Sequence, residues 1–245
     1  MEDWFAHLRR LTGVFEETVR TASLAERVPA CPGWSVYDLV CHLGQTHTWA
    51  GDILTTGHEA AETDEVPASV TAEAAAEWYA GTARRLLHAV QQGDPSDACW
   101  NFAGVRQTRG FWSRRQVHET QMHVVDLGQA AGVEPDLDPE LSADGVAEVF
   151  EVFAHRMVAK GVVSALAAPT SLVATDVGRV WHLTPDPAGG APRLRASSGA
   201  LADDQARGTA AELLTVMWKR RRPELLDVVG DRERVLRFLG SALTP

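Results

Sequence analysis

Apolar side chains recur at the three- and four-residue steps of an α-helix in four segments of the first half of the chain. In the first segment, Leu8, Leu11 and Phe15 fall on one face. The second begins at Ser35, with Asp38 in the capping-box position three residues on. The four predicted helices span about residues 3–22, 36–56, 70–92 and 111–131. Four helices of this length predict a helix bundle.

The pattern changes after this half. The segment "GVEPDLDPE" has the acidic and proline content of a linker. Beyond it, short β-branched runs, "SLVATD", "RVWHLTPDP" and "PRLRASSG", predict strands, and "PDPAGGAP" predicts the hairpin loop between the last two. Helical patterns are expected over residues 140–160, 207–221 and 231–240. The sequence therefore predicts an α+β fold of two domains, with a four-helix bundle over 1–134 and a small α+β domain over 135–245.

Composition and charge argue against several classes of function. The formal net charge is -10 over 245 residues, which disfavours nucleic-acid binding because a phosphate-binding surface is basic. No apolar run reaches the ~18 residues of a membrane span, and "MEDWFAHLRR" lacks the apolar core of a signal peptide. Three cysteines without a close pair fit a reducing cytoplasm. With Lys160 and Lys219 the only lysines among 23 Lys and Arg residues, a GC-rich genome is indicated.

The stretch "HETQMH" approaches the metalloprotease motif H-E-x-x-H but has one residue too many. His118 and His123 are five residues apart, so on a helix they point about 140° apart and cannot easily bind one ion together. Glu119 and His123 are four apart and share a face. The spacing therefore predicts a Glu-x-x-x-His pair that needs a third ligand from elsewhere.

The second helix offers two candidates for that ligand. On a helical projection His42 lies at the edge of the apolar arc and His47 within it, so both imidazoles are expected to point partly into the bundle. Metal sites in bundles use inward side chains on facing helices. A histidine on such a face is more often a packing residue than a ligand, and spacing alone leaves the choice between the two open.

Three residues close in sequence to the candidate ligands are not expected to bind the metal ion themselves. His118 is expected to pack at the bundle boundary. Asp126 lies seven residues after Glu119 and could accept a hydrogen bond from a ligating imidazole, or face solvent near the helix end. Cys41 adjoins His42, but helical neighbours point about 100° apart, which places the thiol on the polar arc and disfavours cysteine catalysis.

Three motifs, in this order along the chain, resemble the mycothiol-dependent maleylpyruvate isomerase family. They are "CPGWSVYDLVCHL", then "HETQMHVVDLGQAAG", and last "GTAAELLTVMWKRRRPELLDVVGD". The resemblance implies a DinB-like, metal-binding four-helix bundle followed by a sterol-carrier-like α+β domain. The separations between the motifs match those of the family, and the resemblance covers nearly the whole chain.

Carried onto this sequence, the family's metal ligands fall on His42, Glu119 and His123. The resemblance thus selects His42 and leaves His47 as a residue of the cofactor pocket. Asp126 is assigned to the same cofactor-binding surroundings.

The family also uses an arginine of its C-terminal domain near the active site. The W-x-R match places it best at Arg220, although Arg221 and Arg222 remain alternatives within the run "KRRR". The family's usual glycine after the tryptophan is Lys219 here. The competing interpretation of the run is a set of cations at a helix C-terminus, which the helix dipole favours.

Two imidazoles and a carboxylate suit a divalent ion, most naturally zinc, and leave a position for another ligand. The resemblance implies that this ligand is the thiol of mycothiol, a low-molecular-weight thiol of actinobacteria. Held as thiolate, it would add to a cis double bond, allow rotation and leave again, or serve S-transfer to another small electrophile. A metal-dependent hydrolase and a non-catalytic metal- or thiol-binding sensor are the alternatives. We expect a cytoplasmic monomer or weak dimer with no nucleic-acid or membrane partner.

Overall fold

The computed structural model describes residues 3–196 and 199–245. It divides into two compact units, one ending at Pro135 and the other beginning at Asp136. The first is a four-helix bundle and the second a mixed helix and sheet unit, which confirms the predicted α+β fold. The helices of the first unit are α1 Trp4–Thr21, α2 Val36–Thr56, α3 Ala72–Gln91 and α4 Arg109–Ala131.

Capping residues lie at the ends of these helices, close to the bounds that the sequence indicated. Ser35 and Asp38 form the predicted capping box of α2: the Asp38 carboxylate accepts from the Ser35 backbone N–H at 2.8 Å. Gly57 and Gly132 end α2 and α4 in the left-handed conformation that glycine adopts without strain. These caps satisfy helix-end groups locally, so the bounds of the helices follow closely from the sequence.

Packing in the bundle brings α2 and α4 side by side, and both α1 and α2 pack against α3 and α4. Gly44 marks the close approach of α2 and α3, because a Cβ there would meet the ring of Trp78 at 2.2 Å. Helix α4 is buried on nearly every side, and its inward side chains include Arg115, His123 and Asp126. Such polar side chains in a core require partners.

The second unit begins with α5 Pro139–Glu148, which continues through a π-helical turn, Val149–Phe153, into α6 Ala154–Ala159. Its sheet has the strand order β3-β2-β1-β4-β5, in which β1 and β4 are parallel and the other pairs antiparallel. The strands are β1 Thr170–Ala174, β2 Arg179–Thr184, β3 Arg193–Ala196, β4 Asp204–Gly208 and β5 Asp227–Val229. The remaining helices are α7 Ala210–Met217 and α8 Arg232–Leu239, with a 3-10 turn at Pro223–Leu225.

The three predicted strands are confirmed as β1, β2 and β3, although the serines at positions 197 and 198 of the third lie outside the described residues. The helix predicted over residues 207–221 is shorter, because Thr209 caps α7 and Lys219 adopts a φ of +62° just after the helix ends. Strands β4 and β5 were not predicted. Within the described part of the chain, no helix is long and apolar enough to cross a bilayer.

Candidate metal centre

Three side chains from two neighbouring helices meet in the bundle. His42 comes from α2, and Glu119 and His123 come from α4. One ligand atom from each lies within 4.8 Å of the other two. Glu119 Oε1 is 3.6 Å from His42 Nε2 and 3.2 Å from His123 Nε2, so the carboxylate oxygen lies between the two imidazoles.

This arrangement fits a divalent metal ion. Ligands about 2.0–2.1 Å from a tetrahedral zinc ion are about 3.3 Å apart, close to both nitrogen–oxygen separations in the cluster. The donor set of two imidazole nitrogens and one carboxylate oxygen is also typical of zinc. Because three protein ligands leave a fourth position, the site could accept a further ligand.

Arg115 binds the other oxygen of the Glu119 carboxylate. It lies one helical turn earlier on α4, is 3% exposed and donates to Glu119 Oε2. Burial alone would raise the pKa of Glu119, but Arg115 and the two histidines outweigh it and hold the pKa well below its usual range. The carboxylate is therefore anionic and directs Oε1 toward the imidazoles. The sequence analysis missed Arg115, although its four-residue spacing from Glu119 was a visible signal.

Asp126 fixes the orientation of His123. The Nδ1 atom of His123 is 2.9 Å from Asp126 Oδ2, and Asp126 has no exposed surface. The solvent-facing alternative for Asp126 is therefore wrong. Burial lowers the pKa of His123, but hydrogen bonds with Asp126 and Glu119 outweigh it and raise the pKa to about 9. At neutral pH the metal-free ring therefore carries a proton on each nitrogen, with Nδ1–H donated to Asp126 and Nε2–H facing Glu119. A metal ion would replace the Nε2 proton while the hydrogen bond to Asp126 keeps the ring oriented.

His47 lies apart from the cluster. It is fully buried, and its Nε2 atom is 3.0 Å from Thr120 Oγ1. The Thr120 hydroxyl donates to Gln116 O at 2.6 Å, so its oxygen accepts from the Nε2–H of His47. Burial lowers the pKa of His47 to about 3, which keeps the ring neutral. Of the two histidines that spacing left open, the structure thus brings His42 to the acidic ligand, and a cofactor role for His47 stays a prediction.

Two further side chains lie where packing explains them. His118 is 2% exposed and makes an edge contact with Trp4, at 5.9 Å between ring centroids. Cys41 is 8% exposed, so the polar arc of α2 on which it was predicted to lie is covered at this position. Burial raises the pKa of its thiol, which opposes a nucleophilic thiolate.

Arg220 belongs to the second unit and follows the end of α7. Its backbone N–H donates to Thr215 O at 2.8 Å, and its Nη1 donates to Trp218 O at 2.7 Å. The guanidinium carbon also lies 5.7 Å from the Trp218 ring centroid. These contacts agree with the alternative of cations at a helix C-terminus. A substrate-binding role for Arg220 stays a prediction.

Comparison with known proteins gives two kinds of match. The sequence model of the family described as "Mycothiol maleylpyruvate isomerase N-terminal domain" matches residues 5–128, about half of the chain. Two solved structures of the mycothiol-dependent maleylpyruvate isomerase share the fold over 93% of this chain and 92% of theirs. The structure of a histidine-to-alanine mutant has a TM-score of 0.64 at 13% identity, and the other has 0.63 at 12%. The search of curated proteins found no significant match.

Proposed function

Because this chain belongs to the mycothiol maleylpyruvate isomerase N-terminal domain family, we propose that it is a metal- and mycothiol-dependent isomerase or S-transferase. Its substrate is a small electrophile, with cis–trans isomerisation of a maleylpyruvate-type compound as the prototype. The observation that carries the proposal is the convergence of His42, Glu119 and His123 on one point between α2 and α4.

In this proposal the three converging side chains hold a zinc ion. When bound, the ion and mycothiol together supply a thiolate nucleophile at neutral pH. Arg115 keeps Glu119 anionic and oriented, and Asp126 keeps His123 in the tautomer that presents Nε2. The protein therefore contributes a preformed and oriented ligand set.

The charges of Arg115, Glu119 and Asp126 support an anionic partner in the remaining position. Arg115 carries one positive charge, and Glu119 and Asp126 carry one negative charge each. With neutral imidazoles, a divalent ion leaves these groups with one net positive charge. A bound anion neutralises that charge, which matters because Arg115 and Asp126 are buried and Glu119 is largely so. A thiolate satisfies this requirement.

The C-terminal domain, residues 135–245, is proposed to be sterol-carrier-like and to contribute the arginine that binds a substrate carboxylate. Arg220 is the proposed residue, since a guanidinium can bind a carboxylate through two parallel hydrogen bonds. Mycothiol, bound at the position left by His42, Glu119 and His123, would supply a thiolate for reversible addition to the double bond, with the π electrons accepted by the adjacent carbonyl. Reversal of the addition after rotation would restore the double bond and release the thiolate. We also propose that the protein acts in the cytoplasm.

Calorimetric titration of mycothiol into zinc-loaded protein tests the proposal. We expect one zinc ion and saturable mycothiol binding in the natural protein, and loss of both in His123→Ala. The matched control is His118→Gln, a buried histidine of the same helix outside the cluster, which should keep both. Isomerisation of maleylpyruvate with catalytic thiol then tests the prototype reaction.

Zinc retained by His123→Ala would contradict the ligand assignment. Zinc binding without mycothiol binding would contradict the thiol-dependent function. Ester or amide turnover without thiol would then indicate a hydrolase. Binding of both zinc and mycothiol with no turnover of any thiol-reactive electrophile would indicate a sensor.

A further inference from the structure

The segment Cys31-Pro32-Gly33-Trp34 immediately precedes α2 and forms a tight β-turn. The backbone N–H of Trp34 donates to Cys31 O at 3.0 Å, which closes the turn. A glycine with a φ of +91° in the third position meets the requirement of a type II turn, and proline is common in the second position of such turns. The sequence C-P-G-W therefore fixes the backbone that places Cys31 and Trp34 side by side.

Hydrogen bonds hold this turn in place. The N–H of Cys31 donates to Val28 O at 3.1 Å, and the N–H of Val28 donates to Trp34 O at 3.0 Å. The Arg27 guanidinium donates to Gly33 O at 2.9 Å. Backbone hydrogen bonds and one from the Arg27 side chain thus hold both ends of the turn.

The two ends of the turn reach the two imidazoles of the cluster by different routes. The ring of Trp34 packs on the ring of His42, with 4.8 Å between centroids. The thiol of Cys31 lies 3.7 Å from Asp126 Oδ2. This oxygen is the one within hydrogen-bond distance of His123 Nδ1. One turn therefore contacts His42 directly and His123 through Asp126.

We propose that the Cys31–Trp34 turn is a positioning device for the metal centre. Trp34 fixes the ring plane of His42. Cys31 donates its S–H to Asp126 and so fixes the carboxylate that orients His123. This inference rests on the proposed function, because it assumes that the two histidines bind a metal ion. Cys31 and Trp34 are thus positioning residues and not ligands.

The test measures Co²⁺ affinity by competition with a chelator, with the visible spectrum of bound Co²⁺ reporting its coordination geometry. Cys31→Ala removes the thiol. Gly33→Ala strains the turn without a steric clash, because a Cβ there meets nothing within 4 Å. Gly104→Ala is the matched control, since Gly104 also has a positive φ, +69°, and open space around its Cβ. Cys99→Ala is the control for loss of a thiol, as Cys99 lies next to Ile53 O, 3.6 Å away.

We expect Cys31→Ala and Gly33→Ala each to weaken Co²⁺ binding by about threefold to tenfold and to shift its visible spectrum. This is less than the ~10- to 100-fold typical of direct hydrogen-bond partners of ligands, because Cys31 acts one step further out. Gly104→Ala and Cys99→Ala should lower the melting temperature while binding Co²⁺ as the natural protein does. In an Asp126→Ala background, Cys31→Ala should cause no further loss of affinity.

Unchanged Co²⁺ affinity and spectrum in both Cys31→Ala and Gly33→Ala would overturn the inference and leave the proposed function intact. An undiminished effect of Cys31→Ala in the Asp126→Ala background would also overturn it, because the route through Asp126 would be wrong. Failure of the natural protein to bind Co²⁺ would overturn the proposed function and the inference with it.

Discussion

The buried imidazole of His47 should make the free energy of unfolding decrease as the pH falls. One substitution at this position should remove that contribution. His47 has no exposed surface, and burial lowers its pKa to about 3. In the unfolded chain the pKa is about 6.5. Between pH 6.5 and pH 3 the unfolded state therefore binds a proton that the folded state does not, so stability is present above this window and is lost as pH falls through it.

The magnitude follows from the two pKa values. Between pH 7 and pH 5 this one group should lower the free energy of unfolding by ~2 kcal/mol, at about 1.4 kcal/mol per pH unit below 6.5. His47→Gln removes the titration while keeping an N–H donor for Thr120. The difference in stability between the natural protein and this variant should therefore shift by ~2 kcal/mol in favour of the variant at pH 5.

Urea unfolding followed by circular dichroism at 222 nm would measure this difference, because the four long helices dominate that signal. A chelator keeps both proteins metal-free, and His123 titrates equally in both. His88→Gln, at an exposed position on α3, is the control for replacing a histidine by glutamine. An equal stability difference at pH 7 and pH 5 for His47→Gln would refute the reasoning.

Three further substitutions test the surroundings of the site and the end of α7. Arg115→Met should destabilise the metal-free protein by about 3 kcal/mol, since it leaves Glu119 without its buried cation, and zinc should restore part of the loss in urea unfolding; an equal loss with and without zinc would contradict this. Lys219→Gly should be about 1 kcal/mol more stable than Lys219→Ala, because both lose the Nζ–Leu239 O hydrogen bond but only glycine tolerates the φ of +62°; equal melting temperatures would argue against that strain. Cys41→Ala should leave zinc content and mycothiol binding unchanged, and loss of either would reopen a role for this thiol.

The helical half could be predicted from the sequence because its signals are local. The capping box at Ser35 and the left-handed glycines at positions 57 and 132 lie within a few residues of the helix ends they determine. Strand β4, "DQARG", has no such signal. It is a central strand only because β1, more than thirty residues earlier, pairs with it in parallel. The pattern within β4 could not reveal that partner.

The candidate site could also be predicted only in part from the sequence. The pairing of Glu119 with His123 follows from spacing on one helix, so the sequence was sufficient to predict it. The choice between His42 and His47 depends on how α2 is rotated relative to α4, which a projection of α2 alone does not contain. The motif resemblance supplied that information, and the distance of 3.6 Å from His42 to Glu119 agrees with it. The same limitation explains why the projection could not show that Cys41 is buried.

The composition of α4 is itself evidence for a binding site. A bundle of this kind gains stability by placing apolar side chains on its inward faces, yet α4 directs Arg115, Glu119, His123 and Asp126 inward on one stripe. Replacing a buried ion pair with apolar residues of similar volume is often neutral or stabilising, so folding alone gives little reason for this stripe. A divalent ion that receives an oxygen and a nitrogen from the stripe, and a second nitrogen from His42, accounts for each of these groups. The other three bundle helices have mainly apolar buried faces. Burial of these faces stabilises the bundle and offsets the free-energy cost of the polar stripe on α4.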